Sequence, residues 1–153
     1  MMRLLLVAAI AVTYTFYHFG SQDTTAPPSV TEQSPVTSQV LSDAAQRIEQ
    51  AFRQREHNVA VQSHGVVAKV LADDNDGSRH QRFILKLENG MTVLVAHNID
   101  LAPRLEGLKV GDDVEFNGIY EWNAKGGVIH WTHHDPRGRH AAGWLRYGGR
   151  LYQ

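Results

Sequence analysis

The chain contains no cysteine. That excludes a disulfide framework, a thiolate metal site and a lipid-anchored N-terminal cysteine, and it leaves oxidising compartments open. A surplus of charge is also missing: fifteen Lys and Arg stand against sixteen Asp and Glu, for a net charge of −1. A broadly basic surface that grips nucleic acid by neutralising phosphates is therefore excluded, and nucleic acid is not an expected partner. Nor is there an apolar run of the ~20 residues that a typical membrane-spanning helix needs. The run Leu4 to Val12 is shorter, preceded by the single cation Arg3 and followed by Tyr14, Phe16, Tyr17 and Phe19. Two further patterns do not occur: the His-Glu-x-x-His zinc signature and the Gly-x-Ser-x-Gly nucleophile elbow.

A short apolar run behind one cation, with a polar exit, is what translocation needs. Residues 1–20 are expected to be a signal peptide or, in the absence of a good small-x-small cleavage site, an uncleaved anchor with its aromatics at the far interface. The protein is accordingly expected to be exported, either periplasmic or anchored to the inner membrane and facing outward. Residues 21–37, with Pro27, Pro28 and Pro35 among Ser, Thr and Gln, carry too little apolar surface to offset ordering entropy and read as a disordered linker. Over 38–57 the spacing of Leu41, Ala44, Ala45, Ile48, Ala51 and Phe52 predicts one amphipathic helix, expected to dock on the following domain and to be separable from it.

From residue 58 the period changes from 3.6 to 2. Val59 to Leu71, Gln81 to Glu88 and Met91 to Ala96 predict three strands, with a two-residue hairpin turn at Asn89-Gly90. Leu101 to Leu108 suits a short helix or an irregular crossing. Val114 to Trp122 and Val128 to Thr132 give strands four and five, joined by a turn at Asn123 to Gly127. Three strands, a crossing and two more strands in one domain, 58–153, is the order of a small five-stranded barrel of the OB type, mainly β. Gly65 and Gly118 suit the bends of such a barrel.

The blocks His80-Gln81-Arg82-Phe83, His97 through Arg104, Gly118 through Asn123 and Gly126 through Pro136 support a resemblance as well. From about Gly65 to Tyr152 the chain resembles a family of small exported bacterial proteins whose domain is of unknown function. The resemblance implies no catalytic residue.

The chemistry concentrates in His130-Trp131-Thr132-His133-His134-Asp135-Pro136, followed by Arg137, Arg139, His140 and Trp144. Strand alternation places His130 and His134 on one outward face if Ile129 and Trp131 fill the barrel. His80, at the end of the first hairpin loop, and His97, at the end of strand three, are expected to converge with them. His80, His97, His130 and His134 are thus the candidate ligands for a transition metal such as zinc. Trp131, Arg137, Arg139 and Trp144 are the candidate contacts to an envelope ligand, by stacking and by charge. The plain alternative is that these histidines hydrogen-bond backbone groups around a polar rim. A calcium loop at Asp73 to Gly77 is excluded, because aligning Gly77 with the loop glycine puts Ala72 and Phe83 at ligand positions. The sequence therefore favours a binding module with a histidine-rich rim for a metal or an envelope ligand. A metal-dependent hydrolase of phosphodiesters or similar bonds is the alternative.

Overall fold

The computed structural model describes residues 35–138 and 140–153. The expected signal or anchor segment, nearly all of the expected linker, and Arg139 lie outside the described residues. Helix α1 spans Pro35–Gln54, and seven strands follow: β1 Val59–Val70, β2 His80–Lys86, β3 Thr92–Asn98, β4 Asp113–Glu121, β5 Val128–His130, β6 Trp144–Tyr147 and β7 Arg150–Tyr152.

Strands β1 to β5 form a closed barrel in the order β1-β2-β3-β5-β4, with β4 returning to β1. All neighbours are antiparallel except β3 and β5, which is the topology of an OB barrel. Closure depends on β1 being long enough to serve two partners. Val59 to Val66 pair with β4, and Val66 to Val70 with β2 across an irregularity between Val67 and Lys69. Gly65 stands where β1 crosses from one partner to the other. A Cβ there would lie 2.8 Å from the Lys86 carbonyl oxygen, so any side chain would push β1 and β2 apart.

Alternation along the strands fills the interior with Val61, Val67, Phe83, Leu85, Val93, Val95, Val114, Phe116, Tyr120 and Ile129. One end is covered by α1, where Ala45, Ile48 and Ala51 recur at helical spacing and join the same buried cluster. Asn89, in the β2–β3 turn, donates its side-chain amide to the Ala45 carbonyl at 3.0 Å. The helix stops in a Schellman arrangement. Arg55 takes a left-handed φ of 57°, its N–H bonds the Phe52 carbonyl and the Glu56 N–H bonds the Ala51 carbonyl. Glu56 then closes a two-pronged ion pair with Arg47.

Three details differ from the sequence expectation. The β2–β3 turn has three residues, not two: Leu87 donates to Met91, and Gly90 supplies the left-handed position at φ 83°. The fifth strand ends at His130, two residues early, and the hairpin β6–β7, turning on Gly148 and Gly149 at φ 56° and 75°, extends the sheet beyond the barrel. Finally, the buried face of α1 joins the barrel core, where a separable helix is expected from the sequence.

Two measurements follow from that last point. Ile48→Ala should lower stability by about 2–5 kcal/mol, the usual cost of emptying a fully buried isoleucine site, read as a lower urea midpoint. A fragment beginning at Asn58 should lose its cooperative transition; an unchanged transition would show that the helix contributes nothing to the core.

Candidate functional site

The register along β4 creates the site. Ile119 faces His130 on β5, but two residues earlier Asn117 faces Trp144 on β6 rather than Thr132. Strands β5 and β6 therefore occupy the same edge of β4, and the residues between them, 131–143, leave the sheet as an excursion. Trp131 begins it at φ 52°, a left-handed conformation uncommon for a bulky residue. Strand alternation stops there: Trp131 is exposed, and Thr132 and His133 are both buried. At the far end Gly143 donates its N–H to the His133 carbonyl at 3.0 Å. A Cβ on Gly143 would collide with the Trp131 carbonyl oxygen, so only glycine lets the two ends of the excursion meet.

Asp135 organises the loop from inside. It is buried, and its carboxylate accepts the backbone N–H groups of Arg137 at 2.9 Å and His140 at 3.2 Å. The Gly138 N–H returns to its carbonyl at 3.1 Å. The excursion is anchored below by Thr132, whose hydroxyl lies 2.8 Å from Nδ1 of His97. Nε2 of His97 lies 3.1 Å from the Pro103 carbonyl oxygen, which only accepts, so Nε2 carries the proton and Nδ1 receives the threonine hydroxyl. His97 is fully buried and faces into the barrel end beside Gln81, its cross-strand neighbour. The Gln81 side-chain amide pairs both ways with the backbone of Leu105. Burial lowers the His97 pKa to about 4, with smaller contributions from His133 and His80.

Above this floor the excursion leans over the outer face of β2, β3 and β5. A pocket of about 410 Å³ opens there, lined by Ser78, His80, Ala96, Asn98, Leu101, His130, Trp131, His133 and His140. None of these described lining residues is Lys, Arg, Asp or Glu. Three of the imidazoles are oriented in the same way. Nδ1 of His80, His133 and His140 lies 2.8 Å from the carbonyl oxygen of Ser78, His134 and Ala141 respectively. Each Nδ1 must donate, so in the neutral ring Nε2 of His80 and of His133 keeps its lone pair, whereas Nε2 of His140 faces the buried Asp135 carboxylate at 3.8 Å. The His140 ring stacks on Trp131 at 4.7 Å and 13°, and His133 meets His140 edge-on at 5.2 Å. Burial lowers the pKa of His130, with Glu121 opposing and His80 reinforcing the shift.

Of the sequence candidates, His80, His130 and Trp131 line this pocket together. His97 lies beneath it with both ring nitrogens engaged, which leaves none for a metal. His134 is exposed and outside the lining, because the alternation that paired it with His130 ends at Trp131. Arg137 is exposed at the excursion's turn, and Trp144 packs under the Arg146 guanidinium at 5.4 Å, away from the pocket. His133, His140 and Asn98 are lining residues that strand periodicity passed over. The Asp135-Pro136-Arg137-Gly138 turn signal was the available hint that the strand had already ended. Among the described residues no three His, Asp or Glu side chains are grouped to hold a metal ion. The acidic loop is internally compensated, with Asp73 paired to Arg104 and Asp74 to Arg82.

Residues 30–153 match the family described as Protein of unknown function (DUF3465). The chain belongs to that family. The match begins well before Gly65 and so takes in α1, the barrel and the excursion as one unit. No curated protein matches the chain.

The state of His97 sets a pH dependence. An unfolded histidine titrates near 6.5, whereas the folded one titrates at about 4. Its stabilising effect is therefore complete above pH 6.5 and is lost progressively as pH falls to about 4, by up to about 3 kcal/mol. Urea unfolding across this range should show that decline. In His97→Asn the slope assigned to this group should disappear, and an unchanged slope would assign the effect elsewhere.

Proposed function

We propose that this domain is a binding module acting outside the cytoplasm, and that its ligand is a small, donor-rich polar molecule held in the outer-face pocket. The observation that carries the reading is the shared orientation of three imidazoles: their Nδ1–H groups are used by backbone carbonyls, so the Nε2 lone pairs of His80 and His133 remain as acceptors, while Nε2 of His140 faces Asp135. A ligand with several hydroxyl or N–H donors satisfies such a pocket, while an anion finds no Lys or Arg among the described lining residues. The outer face over β2 and β3 is also where OB barrels carry ligands. A second reading rests on the same lone pairs, because Nδ1–H to carbonyl bonding orients imidazoles toward a transition metal such as zinc. That reading requires side-chain rotation, since no three described side chains are yet grouped as ligands. A hydrolase would need a nucleophile or a metal-bound water beside these rings, and no feature of the described lining favours one over binding. The outward location rests on Arg3 and the run Leu4 to Val12.

The pocket is tested by ¹⁵N spectra of histidine-labelled protein titrated with cellobiose, maltose and chitobiose, and separately with zinc chloride. Ring signals of His80, His130, His133 and His140 should move while His57, His64 and His134 stay in place. His80→Ala should weaken the effective probe by about tenfold, the loss of one or two hydrogen bonds. Movement confined to residues outside the pocket, or no movement with any probe, sinks the reading. For location, a reporter active only in the cytoplasm and fused after Gln153 should be silent, and strong activity would refute export.

A further inference from the structure

Trp131 is costly to place as it is. It holds a left-handed φ of 52° and leaves 43% of its surface exposed, although burying an indole is strongly favoured. Strain of this kind persists where the surrounding structure enforces it, and it concentrates at functional sites. The enforcement is visible: the ring is stacked on His140, whose Nδ1 is tied to the Ala141 carbonyl.

Trp131 also separates two cavities. On one side is the histidine pocket; on the other is a second pocket of about 270 Å³ lined by Ile119, Glu121, His130 and Trp131 itself. His130 and Trp131 belong to both, so the two spaces meet at these side chains. In the second pocket the Glu121 carboxylate is held in position by Nδ1 of His57 at 2.8 Å and the Asn58 N–H at 3.1 Å. The line across the barrel face therefore runs from imidazole lone pairs, over a fixed indole, to an oriented carboxylate. The imidazole lone pairs and the carboxylate on that line accept, the indole Nε1–H donates, and neither described lining includes Lys or Arg.

We propose that the two pockets are consecutive subsites for a linear, neutral oligosaccharide that crosses the indole of Trp131. A pyranose ring has an apolar C–H face that stacks on an aromatic ring, and a rim of hydroxyls that donate to acceptors on either side. A single-stranded nucleic acid also stacks, but it brings a phosphate with each unit and would need cations along the path. The inference rests on the histidine pocket being the ligand site, and it adds the second subsite, the stacking platform and the ligand class.

The test uses the full chain against neutral linear glucose, mannose and N-acetylglucosamine oligomers of two to six units, followed by tryptophan fluorescence. At least one series should bind, with affinity rising tenfold or more from dimer to tetramer. Trp131→Ala should lose tenfold or more on the tetramer, and Trp131→Phe should recover most of it, because a ring restores stacking. Glu121→Gln should remove most of the gain with length. Unchanged urea midpoints in these exposed or half-buried variants separate lost binding from lost folding. If dimer and tetramer bind equally and only His80→Ala weakens them, the extended site is overturned and the pocket reading survives. If zinc binds and no oligomer does, the oligosaccharide is overturned and the metal form of the pocket reading survives. If neither zinc nor any oligomer binds, both fall together.

Discussion

The imidazole of His97 is the joint on which this fold turns. It sits on β3 at the open end of the barrel, fully buried, and joins two segments that no ladder connects: the crossing through the Pro103 carbonyl and the excursion through the Thr132 hydroxyl. Burying a polar ring in this way is tolerable only when each nitrogen has a partner of the right kind. One donor and one acceptor are present, so the neutral tautomer fits and the charged form does not. Gln81 does the same for Leu105 from the adjacent strand, and the two side chains together close the barrel end opposite α1.

The excursion owes its shape to a constraint on β4. One edge of that strand accepts β5 and then β6, so the chain between them must leave and return within the width of the sheet. Three backbone features permit it: the left-handed turn at Trp131, the crossing at Gly143, and Gly118, where a Cβ would lie 2.5 Å from the His130 carbonyl oxygen. Asp135 then gathers backbone N–H groups inside the loop, where a longer carboxylate would not sit as closely. The outcome is a wall of imidazoles facing strands β2 and β3 across a pocket whose floor is the His97 joint.

Charge is spent locally rather than pooled. Arg104 and Arg82 neutralise the acidic loop, Arg146 is shared between Glu115 and the Trp144 ring, and Arg150 lies over Tyr152 at 5.8 Å. Of the C-terminal arginines, Arg146 and Arg150 are thus each held against a neighbouring ring. In the pocket, burial holds His130 below the usual imidazole range.

Alternating apolar residues determined β1 to β4 in the sequence itself, because period 2 has one solution when one face must be buried. Gly65, the crossing and the strand count determined the barrel for the same reason. Helical spacing determined α1, and the density of histidine and tryptophan marked the region of the pocket. What the sequence did not determine is which histidines meet. That depended on where β5 stops, and the stop is set by competition for one edge of β4 between strands that lie on either side of the excursion. His133 and His140 entered the pocket, and His134 and Trp144 left it, through this long-range pairing. His97, a candidate ligand by position, became a structural joint because its partners, Pro103 and Thr132, arrive from segments on either side that only the folded barrel brings together.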